Sequence, residues 1–216
     1  MPAASPKTKR GRRRNGVRGP ANSEALLAAA HRLVMERGEN FTTQDLIKEA
    51  DVALQTFYRH FGGKDQILIA VLADLINGHC EALAAKAEHF EDPVDRFRYY
   101  VVDTLTMLVA NPGATARFMT SQHWRLHQLY PEELAAATKP FADLVQRELE
   151  EARATGRLTP RSPERDAWIV NRLVMSVFHH YSFAADAEDA STIAEDVWLF
   201  CFAAVGGTGV DRRHRK

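Results

Sequence analysis

The chain has 216 residues, enough for one medium hydrophobic core or two small ones, and its 45% apolar content is ordinary for a globular protein. Its formal charge of zero hides an asymmetry: residues 1–65 carry 12 Lys/Arg against 7 Asp/Glu, and the remainder carries 16 against 21. No stretch reads as a membrane span or a signal peptide, and Cys80 and Cys201 lie far apart without metal or disulfide spacing, so a cytoplasmic protein with reduced thiols and no membrane partner is expected.

Residues 1–21 hold Pro, Gly and seven cations but almost no large apolar side chain, which predicts a flexible basic arm. Order is expected from Asn22-Ser23, with Leu26, Ala30, Leu33, Val34 and Arg37 tracking one helical face and Gly38 ending the helix. Thr42, with Asp45 three residues on, forms a capping-box pattern and starts a short helix to about Ala50. Asp51-Val52 makes a turn, and a third helix runs from Ala53 to His60, with Leu46, Val52, Phe57 and Phe61 as a shared core. One longer helix followed by two short ones joined by a tight turn describes a helix-turn-helix over residues 22–66.

Gly62-Gly63 breaks the pattern before a long amphipathic stretch opening at Lys64-Asp65, where Gly78 is a place for a bend. Further helices are expected over Pro93–Ala110, Ala114–Leu126, Pro131–Thr155, Pro163–Ala185 and Ser191–Val205, with Pro140 inside the third of these a candidate kink. Residues 67–207 thus read as a helical body and 208–216 as a basic tail. The fold class is all-α.

The run TTQDLIKEADVALQTFYRHFGGK, residues 42–64, resembles the DNA-binding domain of the TetR family: a Thr-capped helix, a turn, then Thr-aromatic-Tyr-x-His-Phe-x-x-Lys. The resemblance implies a homodimeric transcriptional regulator, not an enzyme, that binds double-stranded operator DNA and is released as a repressor by a small apolar effector. It assigns base reading to Gln44, Gln55 and Thr56, and phosphate contact to Thr43, Tyr58, His60 and Lys64. The chemistry agrees, because Gln can bond adenine in two places and the Thr methyl can meet thymine. Arg10, Arg12, Arg13 and Arg14 suit a narrow minor groove beside the site. Two positions depart from the pattern: Asp51 stands where the turn usually has Gly, and Ala53 stands where Ser or Thr often caps the recognition helix.

In the body, Met107, Phe118, His123, Trp124, Asn171, Met175 and His179 are the candidates for an effector pocket. The last two helices, with Trp168, Leu173, Val177, Trp198, Phe202 and Val205, are the expected dimer pair. His123 and His127 share a helical face at metal-binding spacing, which leaves a metal sensor as the alternative; a helical adaptor that binds no DNA is another. No phosphate-binding Gly loop, nucleophile elbow or paired carboxylates are present, and no cofactor is expected.

Overall fold

The computed structural model describes residues 18–110, 113–183 and 189–208. Among these residues the chain forms helices and no strand: α1 (Arg18–Arg37), α2 (Thr43–Glu49), α3 (Leu54–His60), α4 (Lys64–Ala87), α5 (Pro93–Ala110), α6 (Ala114–Leu129), α7 (Pro131–Ala154), α8 (Pro163–Tyr181) and α9 (Ala190–Ala204). The all-α class and the order of helices agree with the sequence. The arm cations Arg10, Arg12, Arg13 and Arg14, and the tail from residue 209, lie outside the described residues.

Boundaries shift where a local signal was over-read. α1 begins at Arg18 rather than near Ser23, because Pro20 falls in the first turn, where no intrahelical amide donor is required. Arg37 is exposed rather than on the buried face. α4 runs unbroken through Gly78. α6 extends to Leu129, and α8 ends at Tyr181. α7 likewise runs through Pro140, which cannot donate to the carbonyl of Ala136.

Two hydrophobic clusters form among the described residues. One gathers Leu26, Leu33, Leu46, Phe57, Ile67 and Val71 with Phe118 and Leu126 of α6 and Leu134 of α7. The other gathers Leu83, Phe97, Leu105, Val145, Leu149, Val174 and Trp198. The core around α1, α2 and α3 therefore continues past residue 66 into α4 and borrows side chains from α6 and α7. α4 is common to both clusters: its first half serves the former, and Cys80, Leu83 and Ala87 serve the latter.

That double duty explains its composition. Contrary to the sequence expectation, α4 is long and apolar enough to cross a membrane by length and composition alone. Its apolar residues instead pack against α1, α5, α6 and α7, as in a helix buried on more than one side.

A polar clamp ties α5 to α7. The Arg96 guanidinium donates to Glu148 Oε2 (2.7 Å), Glu151 Oε2 (2.5 Å) and the carbonyls of Phe90 and Glu91 (3.0 Å each), while Tyr100 donates to Glu148 Oε1 at 3.1 Å. The buried Glu148 carboxylate thereby has partners on both oxygens, as burial of a charge requires.

Candidate nucleic-acid interface and effector cavity

α2 starts where the sequence places it. Thr42 Oγ1 accepts from the Asp45 amide (3.1 Å), and Asp45 Oδ2 accepts from the Thr42 amide (2.8 Å), a reciprocal capping box. These bonds from Thr42 hold the Asp45 carboxyl below its usual pKa. The helix closes through a left-handed Asp51 (φ +51°), which lets the Val52 amide reach the carbonyl of Ile47 at 3.0 Å. An Asp can take this geometry, so the turn survives without Gly. Ala53 then precedes α3 with no side-chain cap.

Phe57, fully buried, anchors α3 in the core. Gln44 and Gln55 are exposed, Thr43 and Thr56 half-buried, and Tyr58 is 55% exposed. His60 differs from expectation: it is half-buried, and its Nε2 is shielded without a hydrogen-bond partner. Lys64 differs too. Its ammonium donates to the Glu39 carbonyl at 2.6 Å and lies 4.7 Å from the Phe41 ring centre. Desolvation there lowers its pKa. The residue fastens the α1–α2 connection to α4 rather than standing free as a point charge.

A small cavity of about 60 Å³ lies between α4, α5, α6, α7 and α8. Three of the chain's five methionines, Met107, Met119 and Met175, line it with Phe141, Phe178, Leu75 and Ile76. Its polar edge is His79, whose Nε2 is 3.0 Å from Thr104 Oγ1. Desolvation depresses the His79 pKa, favouring the neutral ring.

Of the seven pocket residues expected from sequence, Met107 and Met175 line this cavity and the other five do not. Phe118 belongs to the core shared with α1, α2 and α3; Met119, one residue on and about 100° round the helix, takes the cavity position instead. Asn171 is buried elsewhere, with Oδ1 unpartnered. His123, Trp124 and His179 form a separate aromatic group: the His123 ring is 4.7 Å from His179 and 5.2 Å from Trp124, between centres. Trp124 is 63% exposed.

Burial, then the neighbouring His123, pushes the His179 pKa down to about 4, and its Nδ1 is 2.9 Å from Thr120 Oγ1. His123 and His127 stack as nearly parallel rings 6.0 Å apart. Among the described residues no group of three or more His, Cys, Asp or Glu is arranged to hold a metal ion.

The sequence signals for His79 and Thr104 were present but weak. His79 continues the apolar face of Leu75 and Ile76 at helical spacing, and only the packing of α5 shows that Thr104 meets it.

On α8 and α9 the structure separates the buried residues of the expected dimer pair from the exposed ones. Trp198 and Val205 are buried in the chain's own core, and Leu173, Val177 and Phe202 pack against it. The exposed apolar residues are Trp168 and Ile169 on α8 and Leu199 and Phe200 on α9. Arg165 and Arg172 flank the Trp168 ring, 4.3 and 5.3 Å from its centre.

Residues 26–71 match the family described as bacterial regulatory proteins, tetR family. No curated protein sequence matches the chain. Among solved structures, the chain is similar to Thermus thermophilus FadR, a TetR-family transcriptional repressor in complex with lauroyl-CoA, at 19% identity and TM-score 0.68 over 88% of this chain and 97% of that one. E. coli NemR in its reduced form shares 19% identity and TM-score 0.63 over 88% and 100% of the two chains. A tetR-family regulatory protein from Rhodococcus RHA1 shares 21% identity and TM-score 0.60 over 87% and 98%. Residues 26–71 therefore match the tetR family of bacterial regulatory proteins, and the chain as a whole has the fold of those solved structures.

Proposed function

We propose that the chain is a dimeric, DNA-binding transcriptional repressor that a small, neutral, largely apolar molecule releases from its operator. The observation that carries this reading is the polar face of α2 and α3, with Gln44, Gln55 and Tyr58 turned to solvent over a closed hydrophobic core. A recognition helix presents such side chains to the major groove. In this reading Gln44, Gln55 and Thr56 meet base edges, and Thr43, Tyr58 and His60 meet phosphates. Lys64 joins the phosphate contacts by exchanging the Glu39 carbonyl for a phosphate oxygen. The arm from Arg10 to Arg14 follows the adjacent minor groove. A second copy covers Trp168, Ile169, Leu199 and Phe200, which suits a palindromic site.

The cavity supports the effector. The lauroyl-CoA bound by the Thermus protein shows that one protein of this fold holds a ligand. Here, among the described residues, the lining has no Lys, Arg, Asp or Glu, and its polar pair is His79 and Thr104. That chemistry suits a neutral molecule with a single hydroxyl or carbonyl, not a phosphorylated one. Three methionines allow the lining to adapt. α4 lines the cavity and also starts beside the DNA face, so a ligand that prefers one placement of α4 shifts the population of DNA-competent dimers.

Selection of bound sequences from a random duplex pool tests the DNA-binding claim: an enriched palindrome is expected, and no enrichment at any salt concentration would contradict it. Met175→Trp, which fills the cavity, tests the effector site by abolishing thermal stabilisation by any effector identified.

A further inference from the structure

We infer that Arg59 is a base-reading residue that selects a guanine in each half-site, beside the adenine contact of Gln55; the inference rests on the DNA-binding reading above. Successive residues of a helix are rotated by about 100°, so with the buried Phe57 as origin, Gln55 and Arg59 lie at roughly 160° and 200°. Both are exposed, and together they form the ridge of α3 opposite the core. Tyr58 lies on one flank of that ridge, and Thr56 and His60 lie on the other. When α3 enters a groove, the ridge faces its floor, and the flanking Tyr58 and His60 face its phosphate walls.

Arg59 is also unengaged. Among the described residues its guanidinium makes no hydrogen bond or ion pair, whereas Arg32, Arg96, Arg98, Arg125 and Arg157 are each held by carboxylates. A free guanidinium on a short helix costs side-chain entropy when it is ordered, and a bidentate bond to guanine O6 and N7 is the base contact that its planar fork fits best. Gln55 and Arg59 are separated by about 6 Å along the axis, close to two base-pair steps. Each half-site is therefore expected to hold a G·C pair within about two base pairs of the A·T pair read by Gln55.

Duplex selection with the wild-type chain, Arg59→Ala and Arg59→Lys tests this. The wild-type motif should contain that G·C pair. Arg59→Ala should lose preference there by roughly 5- to 150-fold while keeping the other positions, and Arg59→Lys should restore it only in part. An unchanged Arg59→Ala motif with uniformly weaker binding would make Arg59 a phosphate contact and overturn the inference. Failure of the wild-type chain to enrich any sequence would overturn the DNA-binding reading itself. Arg59 is exposed, so circular dichroism of the variants is expected to be unchanged.

Discussion

Asp65 and Arg125 form an ion pair, Oδ1 to Nη2 at 2.7 Å, that joins the first turn of α4 to α6. Arg125 also donates to Gln122 Oε1 from Nε (3.1 Å) and Nη2 (3.0 Å), which fixes the guanidinium on its own helix. Met119 of the same helix lines the cavity. The pair thus links α6, which contributes a cavity residue, to the start of the helix that follows α3.

Arg125→Ala is expected to change function more than stability. Both partners are partly exposed, and such pairs contribute about 0–1 kcal/mol. The melting temperature should fall by only a few degrees, while operator affinity measured by fluorescence anisotropy should shift several-fold. A double-mutant cycle with Asp65→Ala should show the two effects to be non-additive. Additive effects would remove the pair from the coupling.

The two departures from the family pattern in the turn should be correctable. Ala53→Ser supplies a cap that α3 lacks and should stabilise by about 1 kcal/mol. Asp51→Gly removes a β-carbon from a left-handed position and should also stabilise, by up to about 1 kcal/mol. Urea unfolding measures both, and hydrogen exchange should show slower opening of α3 in the Ser variant. A loss of stability in either variant would mean that the native side chain makes a contact outside this geometry.

Stability should fall on mild acidification. Burial depresses the pKa values of His79, His123 and His179, the last to about 4 from the usual 6.5. Each is lower in the folded chain than in the unfolded one, so the unfolded chain binds more protons below about pH 6.5. The stabilisation is complete above that pH and is lost progressively as pH falls toward 4. Urea midpoints at pH 7.5 and 5 should therefore differ, and His179→Asn should reduce the difference. A wild-type midpoint that rises at pH 5 would reverse the assigned sign.

The exposed apolar face of α8 and α9 should be where two chains meet. Ile169→Asp and Phe200→Glu should each convert a dimer to a monomer in light scattering with little loss of helicity. Retention of the dimer by both variants would place the interface elsewhere.

The helices were legible in sequence because their ends carry local chemistry: the Thr42–Asp45 box, Pro at the start of α7 and α8, and Gly38 at a positive φ. The pair of short helices α2 and α3 was legible because its residues fall within one short motif. The cavity was not, because its lining comes from five helices and depends on their relative rotation. Phe118 against Met119 is a one-residue error of phase, and Trp198, buried, against Phe200, exposed, shows how two aromatics on one helix take opposite faces. Arg59 escaped notice because motif matching treats its position as variable, and only the burial of Phe57 shows that it shares a ridge with Gln55.

The most direct measurement is chemical footprinting of the purified chain on its selected duplex, with dimethyl sulfate probing guanine N7 in the major groove and hydroxyl radicals probing the backbone. Two protected major-groove segments on one face of the duplex, about one helical turn apart or a multiple of it, are expected, with sedimentation giving at least two chains per duplex. A single protected segment bound by one chain, or protection confined to the minor groove, would contradict a dimer that reads DNA through α3.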